Sequence, residues 1–310
     1  MPDIIFHHYP ISPFSEKIRL IFGFKQLKWK SVMIPSILPK PDVTALTGGY
    51  RRTPVMQIGA DIYCDTALIA DVLEKLAPTP SLYPAPVAGL SRTLAQWADT
   101  TLFWTAIAYT FQPSAISGIL GDITPEQMKA FSADRAAMRA NAPRMAIPEA
   151  TGQLLEYLQR LEDMLADGSD FLLGVSASIA DFSVYHALWF VRRVPAVAGI
   201  LDAYPNVLAW MDKIAAFGHH QYEKMSSEQA IEVARNAAPA DTDGHRFVDT
   251  HGIALGGRVA VMPTDYAMDP VVGELAICSD KEFALRRSDE RAGTVLVHFP
   301  RVGFQMKRAE

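Results

Sequence analysis

The hydrophobic period of this sequence changes twice along its length, and each change restricts the fold. Up to Leu76, short apolar runs alternate with helical stripes. Ile4-Ile5-Phe6 reads as a strand, and Ser15 to Gly23 as a helix with Ile18, Ile21 and Phe22 on one face and Gly23 near its C-cap. Trp29 to Ile34 suits a second strand, Pro35 to Pro41 a loop, and Asp42 to Leu46 a short helix. Val55 to Ile58 and Asp61 to Cys64 flank Gly59-Ala60, a hairpin pattern. Leu68, Ile69, Val72, Leu73 and Leu76 then form an amphipathic stripe stopped by Pro78 and Pro80. The order βαβα followed by ββα predicts an α/β domain over residues 1–78.

A proline-rich linker, Pro78 to Pro86, follows, and residues 88–224 read as wholly helical. Leu154, Leu155, Leu158, Leu161, Met164 and Leu165 make one long stripe. Ser178-Ile179-Ala180-Asp181 has the form of a capping box, with Asp in the usual Glu position. Pro205 stands at the start of a helix carrying Val207, Trp210, Met211 and Ile214. Residues 226–238 can extend the helical pattern. Beyond Asp241 the period becomes two, in five short runs around Val259, Leu275, Phe283, Val295 and Phe304. These predict a small antiparallel β domain, barrel-like, over residues 240–310. The expected fold class is therefore multidomain α+β, and 310 residues suit roughly two or three domains.

Composition narrows the function classes. With 49% hydrophobic residues the chain can bury a sizeable core, and 29 basic against 34 acidic residues give a net charge of −5. With no long basic run, neither a general nucleic-acid binder nor a polybasic membrane anchor is expected. The segment Thr100 to Gly121 carries no charge and is long enough to span a bilayer, but it contains seven Thr, Ser or Gln side chains and Pro113. A buried or ligand-facing helix is the better reading. Two cysteines, Cys64 and Cys278, cannot form a disulfide framework. The N-terminus lacks a signal-peptide pattern, so a cytoplasmic location is expected.

Three motifs carry chemistry. Tyr9-Pro10-Ile11-Ser12-Pro13-Phe14-Ser15 is a turn that delivers a strand to a helix N-terminus. The free N–H groups there favour an anion, and a hydroxyl beside them can stabilise a bound thiolate. Plain capping explains the same serines. Arg52-Thr53-Pro54-Val55 precedes the hairpin, and its X–Pro bond can be cis, which would present the Thr53 backbone to an extended peptide. A trans proline on an edge strand is the alternative. Asp65-Thr66 caps the following helix, and could also hold an amino-acid head group.

Together these residues resemble the glutathione S-transferase superfamily over about residues 1–220. Ser12-Pro13-Phe14-Ser15 stands where thioredoxin-like proteins carry Cys-Pro-aromatic-Cys and omega-class transferases Cys-Pro-Phe. Lys40-Pro41-Asp42 resembles the omega-class Lys-Pro-Glu, Thr53-Pro54 the usual Val-Pro, and Asp65-Thr66 the usual Glu-Ser. Ser178 to Asp181, and Tyr204-Pro205-Asn206-Val207 with Trp210, resemble the helical domain's capping box and final helix. The resemblance implies a thioredoxin-like domain (1–78), an all-α transferase domain (88–224), and glutathione as co-substrate. It implies that Ser12, with Ser15 as rival, contacts the glutathione thiolate, and that Phe14 shapes the turn. Lys40 would pair with the glycyl carboxylate, Thr53 and Pro54 would present backbone to the cysteinyl unit, and Asp65 and Thr66 would hold the γ-glutamyl end. Tyr9, a weaker rival for the thiolate, and Ile11, Trp104, Tyr109 and Phe111 are candidates for the second-substrate pocket, although core packing explains the last three equally well.

The implied activity is attachment of the thiolate to a small electrophile, by conjugation, dehalogenation, ether cleavage or isomerisation, in a cytoplasmic homodimer of the detoxification type. A non-enzymatic glutathione-binding scaffold and a glutathione-dependent peroxidase are the alternatives. With serine at both positions no mixed disulfide with glutathione can form at the turn, which disfavours thiol–disulfide exchange. No metal site is expected: His7 and His8, consecutive in a strand, face opposite sides. The last 86 or so residues fall outside the family pattern, and could cover the mouth of the site, extend a dimer interface or bind a partner.

Overall fold

The computed structural model describes residues 2–139, 144–248 and 250–309. Its first part comprises β1 (Ile5–His8), α1 (Pro13–Phe24), β2 (Trp29–Met33), α2 (Pro41–Thr47), β3 (Val55–Ile58), β4 (Asp61–Cys64) and α3 (Thr66–Leu76). β1 pairs parallel with β2 and antiparallel with β3, and β3 forms the expected hairpin with β4. All four residues of β1 are buried, so the strand reads as an apolar run rather than as an alternating one.

The proline-rich linker is tied down. The Lys25 ammonium donates to Glu74 (2.6 Å) and to the carbonyls of Ala77 (2.6 Å) and Pro80 (2.9 Å). Leu82 is buried, and its carbonyl accepts from the Ile179 N–H at 2.8 Å.

The helical part comprises α4 (Ala88–Trp97), a π-helical turn (Ala98–Leu102), α5 (Phe103–Thr110), α6 (Ile116–Leu120), α7 (Pro125–Arg139), α8 (Ile147–Leu165), α9 (Ile179–Arg192), α10 (Pro195–Ala198) and α11 (Pro205–Ala215). α5 stops before Pro113, and among the described residues no helix is long and apolar enough to cross a membrane. The capping box at α9 is complete, and Asp181 does more than cap. It accepts from the Ser178 N–H (2.8 Å), the Leu172 N–H (2.9 Å) and the Trp210 indole N–H (3.0 Å), fixing α9 against α11. α1 and α3 share one continuous core with this bundle, through Ile18, Ile21, Phe22, Ile69 and Leu73.

Residues 222–224, expected to be helical, lie instead in β5 (Tyr222–Met225), parallel to β2. Tyr222 stacks on Trp29 at 4.7 Å between ring centroids, a contact that favours the strand there. α12 (Ser227–Asn236) follows, with a second capping box, Ser226 and Gln229.

The five expected strands of the C-terminal region are β6 (Arg258–Pro263), β7 (Val271–Cys278), β8 (Glu282–Asp289), β9 (Gly293–Pro300) and β10 (Phe304–Arg308), antiparallel to one another. They form a sheet that continues the first one rather than closing on itself. β9 pairs parallel with β4, Asp61 opposite Leu296, and the result is one ten-stranded sheet in the order β10-β6-β7-β8-β9-β4-β3-β1-β2-β5. α2 and α12 lie in the core on the face away from the helical bundle, with Val32, Ile62, Val271, Val297 and Phe299. Because β9 is interior to this sheet, its residues from Val295 to Pro300 are all buried, on both faces.

Candidate functional site

The site is built at the N-terminal end of α1. Ser12 is the N-cap: its backbone is extended (φ −74°, ψ 118°), Pro13 occupies the first helical position, and its Oγ accepts from the Ser15 N–H at 3.2 Å. Accepting that bond leaves the hydroxyl proton free to donate. Ser12 is 2% exposed, whereas Ser15 is fully buried and its Oγ has no hydrogen-bond partner among the described residues. Pro13 has no N–H and those of Ser15 and Glu16 are bonded to Ser12, so the Phe14 N–H and the helix dipole place positive potential at Ser12.

Lys40 and Thr53 meet beside this turn. The buried Lys40 ammonium donates to the Thr53 hydroxyl at 3.2 Å and lies 5.7 Å from the centre of the Tyr9 ring. Burial, and then the nearby Arg135 and Arg51, lower its pKa to about 8, which Asp134 opposes. The Thr53–Pro54 bond is cis.

Asp65 caps α3, its Oδ1 accepting from the Ala67 N–H at 2.9 Å, with a left-handed backbone (φ 74°) that a non-glycine residue rarely adopts. Burial pushes its carboxyl upward, against the Ala67 N–H and Arg52.

Thr66 leads to residues the sequence reading missed. Its hydroxyl accepts from the Lys17 ammonium at 3.2 Å, and Lys17, fully buried in α1, pairs with Asp99 at 2.6 Å. Asp99, in the π-helical turn, also bonds His186 of α9 at 3.0 Å. Burial opposes ionisation of Asp99, but Lys17 and His186 hold its carboxyl below the ordinary range. Phe14 packs on the far side of this chain, 4.5 Å from the His186 ring and 4.6 Å from Phe103. Thus Thr66, Lys17, Asp99 and His186 join α3, α1, the π turn and α9 beneath the site. A partial signal existed: Asp99 is the last charge before the uncharged segment.

The candidates for the second-substrate side separate. Tyr9, Ile11 and Trp104 are partly exposed. Tyr109 is buried and its hydroxyl donates to the Val197 carbonyl at 3.0 Å. Phe111 faces Phe190 at 5.9 Å. The last two thus belong to the packing of the helical bundle. Elsewhere, His7 bonds Gln57 and His8 bonds Ser31, each at 2.9 Å. Among the described residues, no group of three or more His, Cys, Asp or Glu side chains is placed to hold a metal.

Family models for the N-terminal and C-terminal domains of glutathione S-transferases match residues 6–81 and 144–213. A GST-like protein from Pseudomonas syringae is 43% identical in sequence, with 100% of each chain covered and a TM-score of 0.85. That full coverage includes the C-terminal strands. The β-etherase LigF from a Sphingobium strain shares the fold over 69% of this chain and 95% of its own, at 19% identity and a TM-score of 0.52. FzlA from C. crescentus does so over 69% and 88%, at 20% identity and a TM-score of 0.51. No curated protein matches the chain in sequence.

Proposed function

Because this chain belongs to the glutathione S-transferase superfamily, we propose that it is a serine-type glutathione transferase that attaches the glutathione thiolate to a small electrophilic carbon. The observation that carries this reading is Ser12, an N-cap whose hydroxyl proton is unengaged at the positive end of α1. A thiolate placed there receives a charge-assisted hydrogen bond, worth about 1.5–3 kcal/mol, and the helix-end potential besides. Ser12 is preferred to Ser15 on accessibility, since no atom of Ser15 reaches the surface.

The peptide is held along the Thr53 and Asp65 edge. Lys40 pairs with the glycyl carboxylate, the Thr53 backbone with the cysteinyl unit, and Asp65 with the γ-glutamyl ammonium. Thr66 binds the neighbouring carboxylate, supported from below by Lys17 and Asp99. Holding both reactants in one site, with the thiol already ionised, supplies the rate. The protein acts as a homodimer in this account, the assembly typical of the family.

Calorimetry with glutathione, followed by conjugation of chlorodinitrobenzene, tests the reading on wild type, Ser12→Ala and Ser15→Ala. Wild type binds and turns over. Ser12→Ala loses about 10–100-fold in kcat/KM, the equivalent of one such hydrogen bond, and Ser15→Ala keeps most activity. A wild-type protein that does not bind glutathione refutes the proposal. Binding without turnover, indifferent to both alanines, favours the non-enzymatic alternative.

A further inference from the structure

The C-terminal strands bring one loop to the candidate site. Residues 264–270, between β6 and β7, lie against Arg51 and Arg52, the two residues before Thr53. Arg52 donates to the Asp265 carboxylate and to the Tyr266 carbonyl, and its guanidinium sits 3.8 Å over the centre of the Tyr266 ring. Arg51 pairs with Asp134 of α7 at 2.9 Å and approaches Asp269 at 3.7 Å. The Ala267 N–H donates to the Met138 carbonyl of α7 at 2.6 Å. Anchored from both sides, the loop directs Tyr266 edge-on against Trp104, 5.0 Å between centroids.

Tyr266 therefore stands between the glutathione edge and the one aromatic candidate of the helical part that faces out of the bundle core. Tyr9 and Asp65 are among its electrostatic neighbours, as are Arg52 and Asp265. Among the described residues its hydroxyl has no hydrogen-bond partner, while its ring is held between Arg52 and Trp104. Burial raises its pKa to about 12, only partly offset by Arg52, so the phenol stays protonated near neutral pH and can donate.

We propose that Tyr266, supplied by the C-terminal extension, is a substrate-contacting residue whose hydroxyl donates a hydrogen bond to an oxygen of the electrophile, fitting the site to conjugated carbonyl compounds. This deepens the transferase reading and rests on it. The thiolate sulfur forms a bond to the β-carbon, and the C=C π pair moves to give an enolate. Negative charge develops on the carbonyl oxygen, where the Tyr266 O–H donates without giving up its proton. The α-carbon then takes a proton from water, which balances the proton the thiol released to solvent. A donor fixed where charge develops lowers the barrier selectively for electrophiles that develop charge on oxygen.

Tyr266→Phe tests this, because it keeps the ring on Arg52 and Trp104 and removes only the hydroxyl. Glutathione affinity is measured by calorimetry, and kcat/KM with benzylideneacetone and with ethyl iodide, which offers no acceptor oxygen. The proposal expects wild-type glutathione affinity, at least a roughly tenfold loss with benzylideneacetone, and less than about a twofold change with ethyl iodide. Equal losses with both electrophiles, no loss with either, or a wild type that binds glutathione yet does not turn over benzylideneacetone overturns it. A wild type that does not bind glutathione instead refutes the underlying transferase reading.

Discussion

Replacing His298 by leucine should loosen the seam where the C-terminal strands join the first sheet. His298 lies on β9 and bonds two carboxylates at 3.1 Å each, Asp61 of β4 through Nε2 and Glu282 of β8 through Nδ1. All three are at least nine-tenths buried, at 5%, 5% and 8% exposure, and the Tyr63 ring stacks on the imidazole at 4.6 Å. Removing the cation from a buried ion cluster costs about 3–5 kcal/mol. The lower end applies here, because Asp61 keeps the Ala240 N–H (2.9 Å) and Glu282 keeps His245 (3.7 Å).

About 3 kcal/mol is a large share of the ~5–15 kcal/mol that holds a folded protein together. The clasp also has a pH signature. Burial disfavours the charged imidazole, but hydrogen bonds to Asp61 and Glu282 outweigh it and raise the pKa above 6.5. A group whose folded pKa is raised adds stability that is fully present below the unfolded value and lost as pH rises through the folded one. Urea unfolding followed by tryptophan fluorescence, from about pH 6 to about pH 9, is the assay. The gap in stability between wild type and His298→Leu should be widest at the acid end and narrow as pH rises. A gap that is constant, or that widens with pH, refutes the reasoning.

Two further outcomes follow from particular contacts. Lys40 titrates at about 8, so affinity for S-methylglutathione, whose sulfur carries no titrating proton, should fall by calorimetry as pH rises through that value, and Lys40→Met should weaken binding by about 1.5–3 kcal/mol and remove that fall. A Cβ at Gly23 would stand 2.0 Å from the Gly218 carbonyl oxygen and 2.4 Å from that of Phe217; Gly23→Ala should cost at least ~1–3 kcal/mol in urea unfolding, because both obstacles are backbone.

What could be read from the sequence was local. The hairpin at Gly59-Ala60, the capping box at Ser178 and the five late strands each carry their own pattern within a few residues, and each is present. β5 was missed because Tyr-Glu-Lys-Met is short, mostly exposed and does not alternate. The pairing of β4 with β9 joins residues more than 230 positions apart and leaves no mark on either strand's composition, so a separate β domain was expected where one sheet continues. The same limit applies at the site. The helix-end serine and the residues at 53 and 65 are legible because caps and X–Pro bonds have local signatures. Lys17, Asp99 and His186 acquire meaning only when the fold brings them together, and Tyr266 only when the extension lies against Arg52.

The central claim is that the Ser12 hydroxyl stabilises a glutathione thiolate at the end of α1. Its most direct test is the pKa of bound glutathione, followed by thiolate absorbance in wild type, Ser12→Ala and Ser15→Ala. In wild type it should lie at least about one unit below the ordinary thiol value of ~8.5, and Ser12→Ala should raise it by roughly one to two units, since one unit corresponds to 1.36 kcal/mol. A bound thiol that titrates identically in wild type and Ser12→Ala, or whose shift disappears only in Ser15→Ala, contradicts the account.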